Sequence, residues 1–185
     1  RSGEIMFGLN LVVYKGKTIF VGDTSVHEYP TSEQLAEISI SAARVVRLFG
    51  FDPKVAFVSH STFGQPLTSR TKHIKNAVEI LKKKNVNFEF DGDMQPDVAL
   101  NEEYKNLYPF SKIVGNANIL VMPGQHSAAI SYKMMKTLGD TKVIGPLLIG
   151  LGLPIEIAPL RSSTSEILNL ASIAAYSSDV IDYKK

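Results

Sequence analysis

Apolar and polar positions along this chain change period repeatedly, and the changes predict strands and helices in alternation. Residues 5–14 are apolar and β-rich, 15–17 (Lys-Gly-Lys) supply a tight turn, and 18–22 return, which is the pattern of a β-hairpin. Residues 23–30 read as a loop. Thr31, with Gln34 three positions later, writes a capping box. The helix it opens places Leu35, Ile38, Ala42, Val45, Val46 and Phe49 on one face and stops at Gly50. Residues 54–59 form a short β-branched run, expected as a buried strand, followed by a polar loop over 60–66. A second amphipathic helix is predicted over 68–84, with three lysines in its last turn where cations suit the helix dipole. Residues 87–90 read as a strand, 91–97 as an acidic loop, 96–107 as a helix and 108–112 as a connector.

The most informative pattern lies between 114 and 157. The run 119–122 is long enough for a buried strand, Pro123-Gly124 breaks it, and a helical period runs from Gln125 to Leu138 before Gly139. A glycine-spaced loop through Gly145, Pro146 and 147–152 is expected next, then a strand over 154–157. This strand–loop–helix–loop–strand order predicts a parallel βαβ unit. Ligands of open α/β sheets sit at the strand C-terminal ends, and that rule points to Asn116, Asn118, Pro123, Gly145 and Pro146 as neighbours of a site. A closing helix over 163–176 has apolar residues around much of its circumference, as a helix buried in a core or against a partner would. The fold class is therefore α/β, with a mostly parallel sheet flanked by helices and an N-terminal β-hairpin, and residues 1–185 are expected to form a single domain.

Composition narrows function mainly by exclusion. A net charge of +2 gives no electrostatic reason to expect nucleic acid, and the lysines at 82–84 read as a solvated helix end. There is no cysteine, hence no thiolate metal site and no cysteine nucleophile. No apolar run approaches the roughly 20 residues of a membrane span. With no initiating methionine and Arg1-Ser2-Gly3 at its start, the chain is expected to be a piece of a longer polypeptide.

Several clusters bear on chemistry. Asp91, Asp93, Gln95, Asp97 and Glu102 fall at calcium-loop spacing, but Pro96 stands where that loop turns on glycine, so no metal is expected. The loop Ser59-His60-Ser61-Thr62-Phe63-Gly64 can present hydroxyls and N–H groups to an anion, although it is neither a P-loop nor a nucleophile elbow. The glycines from Gly145 to Gly152 lack the dinucleotide order. His27, His60, His73 and His126 are not paired at helical spacing for zinc. After the last predicted strand, Arg161 suits a phosphate, while Ser163, Thr164 and Glu166 suit a helix start.

Taken together, S-H-S-T-F-G at 59–64, D-G-D-M-Q-P-D at 91–97, G-N-A-N-I-L-V-M-P at 115–123, I-S-Y-K at 130–133 and I-G-P-L-L-I-G-L-G-L-P at 144–154 resemble the phosphate acetyl/butyryltransferase family. The resemblance extends to K-T-I-F-V-G-D-T at 17–24 and P-T-S-E-Q-L-A-E-I at 30–38, and is closer to the phosphotransacetylase-like C-terminal region of bacterial NADP-dependent malic enzymes. It implies the second of two α/β subdomains with a cleft between them. It implies a coenzyme A/phosphate cleft touched by Ser59, Ser61, Thr62, Gly64, Asp91, Gln95, Asp97, Asn116, Asn118, Pro123, Lys133, Gly145 and Pro146.

Transfer of an acyl group between phosphate and coenzyme A needs a base for the thiol, a cation for the acyl phosphate and an oxyanion donor. The family's Ser-Arg-Gly falls on Pro159, Leu160 and Arg161 here, and its acidic position on Glu166. The resemblance thus implies a regulatory region that senses acetyl-coenzyme A and assembles a homo-oligomer of at least two copies in the cytoplasm. It implies no cofactor on this part itself, with NADP and a divalent metal in the malic enzyme region. Two alternatives follow: a working transferase with Glu166 as base and Arg161 as cation, and an assembly domain without ligand.

Overall fold

The computed structural model describes residues 4–64 and 67–180; Arg1-Ser2-Gly3 and the end of the 60–66 loop lie outside the described residues. Among the described residues six strands form one sheet in the order β4-β3-β5-β2-β1-β6. β1 (Phe7–Tyr14) and β2 (Lys17–Gly22) make the N-terminal hairpin. Lys15 and Gly16 have φ of 47° and 76°, the two positive values that a right-twisted two-residue hairpin turn requires. β2, β5 (Ile119–Val121), β3 (Lys54–Val58) and β4 (Glu89–Met94) run parallel, and β1 is antiparallel to both its neighbours.

Alternation within the strands divides the core in two. Val55 and Phe57 of β3, Ile119 and Val121 of β5 and Phe20 of β2 face α1 (Ser32–Leu48) and α2 (Ser69–Lys84). Ala56, Val58, Leu120 and Val21 face the opposite way, towards α3 (Pro96–Leu100) and α5 (Gln125–Leu138). Both helices of the first face begin with complete capping boxes, at Thr31/Gln34 and Thr68/Thr71. Each such cap contributes about 1 kcal/mol.

Three expectations are corrected. The strand expected at 87–90 extends through Met94, so Asp91, Gly92 and Asp93 belong to β4 instead of a loop. The helix expected over 96–107 is two short helices, α3 and α4 (Glu102–Lys105), because Asn101 is extended and its side chain caps the second by accepting from the Glu103 N–H at 3.0 Å. The third concerns the glycine-spaced loop. It is the nine-residue strand β6 (Thr141–Ile149), and 154–157 contributes only an isolated bridge between Glu156 and Leu147. β6 runs in the same direction as β5 but lies beyond β2 and β1, at the far edge. Its alternation is broken by a bulge. Leu9 pairs with Leu147 and Leu11 with Ile144, so Gly145 and Pro146 both stand opposite Asn10. The extra residue turns Val143 to one face and Leu147 to the other. Gly145 has φ +126°, and a Cβ there would lie 3.0 Å from the Leu9 carbonyl oxygen, so the bulge depends on glycine.

The last helix, α6 (Thr164–Val180), rests on β6 and buries Leu170 in the first core. Ile167, Leu168 and Tyr176 are exposed, as are Ile155, Ile157 and Leu160 before it.

Candidate functional site

The residues singled out in the sequence fall into three places. Ser59, Ser61, Thr62, Gly64, Asp91, Gln95 and Asp97 gather on β3, β4 and the segments that leave their C-terminal ends. Ser59 and Asp91 are almost buried, and Ser61 and Asp93 are fully so. The Ser61 hydroxyl donates to Asp93 Oδ2 in a short hydrogen bond. The Phe63 N–H donates to the Asp93 carbonyl, the Gln95 N–H to Thr62 Oγ1 at 3.2 Å, and Gln95 Nε2 to the His60 carbonyl at 3.0 Å. Asp91 accepts from the N–H groups of Gly92 and Lys112. Asp97 accepts from the Val98 N–H in the first turn of α3. The polar groups of this cluster are largely spent on one another. Among the described residues, no group of three or more His, Asp or Glu side chains is placed to hold a metal ion.

Asn116 and Asn118 lie at the opposite end of the sheet, before β5 begins. Asn118 Oδ1 accepts from the Lys54 N–H at 2.8 Å and its Nδ2 donates to the Asp52 carbonyl at 2.7 Å, tying the entry of β5 to that of β3. Both residues precede β5 in the chain and therefore sit at its N-terminal end, away from the C-terminal strand ends to which the strand-end rule applies. Pro123 is exposed at the C-terminal end of β5.

The third place is a cleft at the β6 edge, between α5 and α6, lined by Tyr132, Lys136, Gly145, Pro159, Ser162 and Glu166 among others. Gly145 and Pro146 are thus in the middle of an edge strand instead of at a strand end. Lys133 is exposed on α5, with its ammonium 5.9 Å from the centre of the Tyr132 ring. Lys136 Nζ donates to Glu166 Oε1 at 2.7 Å. Glu166 Oε2 accepts from the Ser163 N–H at 2.7 Å and the Ser163 hydroxyl at 3.0 Å, and the Glu166 N–H returns to Ser163 Oγ at 3.3 Å. This is a capping box on α6. The Lys136 ammonium, then the Ser163 donors, hold the Glu166 carboxyl down at about 2. Arg161 and Leu160 are exposed.

Two residues of this edge escaped the sequence reading. Lys136 stands one turn after Lys133 on α5, and the ion pair it makes spans 30 positions. No local pattern announces that contact. Glu156 is half-buried where its segment bridges to β6, and desolvation pushes its carboxyl up to about 7 against a hydrogen bond from the Leu148 backbone. One of its oxygens, Oε2, is buried without a hydrogen-bond partner. Its neighbours Ile155 and Ile157 are exposed, which is the alternation of an edge segment with Glu156 facing in. From β3 to β6 is four strand spacings, roughly 19 Å, so the two polar places do not form one site within this chain.

A six-stranded mixed sheet with its hairpin in the middle, helices on both faces and a terminal helix folded over the edge strand defines an α/β domain of the phosphotransacetylase type. The chain belongs to the phosphate acetyl/butaryl transferase family, whose model matches residues 1–175. It is 46% identical over 176 residues to the NADP-dependent malic enzyme of Rhizobium meliloti, covering 95% of this chain and 23% of that protein. It is 37% identical over 157 residues to the phosphate acetyltransferase of Clostridium acetobutylicum, covering 84% of this chain and 47% of that protein. Among solved structures, a phosphotransacetylase from Streptococcus pyogenes superposes with a TM-score of 0.88 at 32% identity, covering 94% of this chain and 54% of that one. The chain therefore spans about a quarter of the length of the malic enzymes it matches and about half of the phosphotransacetylase. No helix among the described residues is long and apolar enough to cross a membrane.

Proposed function

We propose that this chain is part of a cytoplasmic NADP-dependent malic enzyme, in which it binds acetyl-coenzyme A as an effector and contributes to a homo-oligomer without catalysing acyl transfer. The observation that carries the absence of acyl transfer is that both oxygens of the Glu166 carboxylate are occupied, Oε1 by Lys136 and Oε2 by Ser163. A general base for a thiol works best with a pKa near the working pH. Glu166, held near 2 by Lys136 and Ser163, has almost no tendency to take a proton at neutral pH. The neighbouring segment offers Pro159 and the exposed Leu160 in place of a hydroxyl and a cation. The 46% identity to a malic enzyme supports the parent polypeptide, and the exposed apolar residues of α6 support an oligomer contact. NADP and the divalent metal would be held elsewhere in that polypeptide, since the glycines here lack the dinucleotide order.

A second reading, a working phosphate acetyltransferase, is favoured by the Clostridium relative and by exposed Arg161 near the cleft. Calorimetric titration of the full-length protein with acetyl-coenzyme A, beside assays of acetyl phosphate turnover and malate oxidation, separates the two. Binding that changes malate oxidation, with no turnover, is the expected result. By linkage such an effector acts only if it prefers one global state of the enzyme. Turnover abolished by Arg161→Ala would establish the transferase, and oligomerisation with no binding would leave an assembly domain.

A further inference from the structure

The geometry points to Lys136 as the cation that receives the anionic phosphate of a ligand in the β6-edge cleft, with Glu166 as the partner it exchanges. The inference rests on the proposed binding of acetyl-coenzyme A and names the side chain that would hold its charge.

Three features support it. The two oxygens of Glu166 are divided: Oε1 takes Lys136, and Oε2 takes both donors of Ser163. A phosphate that captures Lys136 therefore removes one contact and leaves the cap of α6 in place. The contact it removes is open to solvent, the side chains of Lys136 and Glu166 being 48% and 30% exposed, so an anion can reach Lys136 without opening the fold. A charge-assisted hydrogen bond to phosphate is stronger, and a dianion offers more than one acceptor. The surroundings also favour an anion. Lys133 and Arg161 border the lining residues Tyr132 and Ser162, and the first turn of the 17-residue α6 brings the positive end of a helix dipole. Among the described residues that line the cleft, Glu166 is the only carboxylate.

The exchange makes opposite predictions for the two partners. In the full-length protein, Lys136→Gln should weaken acetyl-coenzyme A binding by about ten- to a hundredfold. Lys136→Arg should stay close to wild type. Glu166→Gln removes the competitor, yet Gln still serves the capping box, so binding should tighten by about two- to fivefold. Inorganic phosphate, titrated separately, should follow the same order if the phosphate alone is the recognised group. An order seen with acetyl-coenzyme A only would place the contact on a phosphate that needs the rest of the ligand. Thermal unfolding of each variant checks that it is folded before its affinity is compared.

Two outcomes overturn the inference while leaving acetyl-coenzyme A binding intact. One is unchanged affinity in Lys136→Gln. The other is a loss in Glu166→Gln as large as that in Lys136→Gln, which would make Glu166 itself a ligand contact. Wild-type protein that binds neither acetyl-coenzyme A nor phosphate overturns this inference and the proposed effector site together.

Discussion

The β3–β4 end of the sheet and its β6 edge both carry polar side chains, but in opposite conditions. At β3–β4 Ser61, Thr62, Asp91 and Asp93 are buried and the polar groups satisfy each other or the backbone: Ser61 on Asp93, half-buried Gln95 on Thr62 and on the carbonyl of exposed His60, Asp91 on two backbone N–H groups. At β6 they are exposed or left incomplete: Lys136 and Glu166 meet in solvent, and Glu156 has a buried oxygen without a partner. A buried, satisfied network stabilises a fold and fixes its loops, but any ligand must break internal bonds to use it. A partly exposed edge contributes less stability and keeps its charges available. The two motifs most similar to a ligand loop, at 59–64 and 91–97, therefore lie where the side chains are least free, and the segment that departs most from the family pattern lies in the open cleft.

The largest expected effect tests the first half of that contrast. Asp93→Ala takes the carboxylate acceptor from the fully buried Ser61 hydroxyl and leaves it only the longer 3.3 Å contact with Ser59 Oγ, at a cost of about 1–3 kcal/mol in chemical denaturation. The double variant Ser61→Ala/Asp93→Ala should cost less than the sum of the two single changes, because the partners are coupled. A loss in Asp93→Ala below about 0.5 kcal/mol, the usual size of a surface effect, would mean that the cluster is solvated and open to a ligand, and the contrast would collapse.

A smaller effect belongs to Glu156. Its folded carboxyl sits at about 7 against an ordinary 4.5, so the folded state binds the proton more tightly than the unfolded chain. Stability from this group is fully present below about pH 4.5 and is lost as pH rises to about 7. After discounting for its partial exposure, the loss is about 1–2 kcal/mol. Glu156→Gln should flatten this part of the stability–pH curve, with its gain at pH 8 and little change at pH 4. A wild-type curve that does not fall across the window would show that water reaches Oε2 and that this part of the edge is not dry.

How legible each region is in the sequence follows from the range of the interactions that make it. The helix cap at Thr31, the hairpin turn at Lys15-Gly16 and the bounds of α5 depend on residues within four positions of one another, and they stand where the periodicity places them. β6 does not, because its bulge cancels the alternation that marks a strand, and Gly145-Pro146 suggest a loop. The end of β4 is illegible for a related reason: Asp91, Gly92 and Asp93 have poor strand propensity, and they are strand only because β3 and Lys112 supply their partners. The Ser163/Glu166 cap is local and readable. Its contact with Lys136 is long-range, and that contact turns a candidate base into an ion-paired carboxylate.

The smallest effect in stability is the one that speaks most directly to that carboxylate. In Lys136→Gln the largest cause of the low Glu166 pKa is gone, while the Ser163 donors remain. The carboxyl should therefore rise from about 2 part of the way towards its ordinary 4.5. Carbon-detected NMR titration of the Glu166 side chain reads this directly. A depressed pKa gives stability above the unfolded value that is lost as pH falls below about 4.5, so the wild type should lose this contribution on acidification and the variant should lose less of it. Acetyl-coenzyme A added to the wild type should move the Glu166 titration in the same direction as the variant does, because a ligand that captures Lys136 takes it from Glu166. A Glu166 pKa that stays low with Lys136 removed would assign the depression to Ser163 alone. The β6 edge would then be as self-satisfied as the β3–β4 cluster, and the exchange of partners would have no basis.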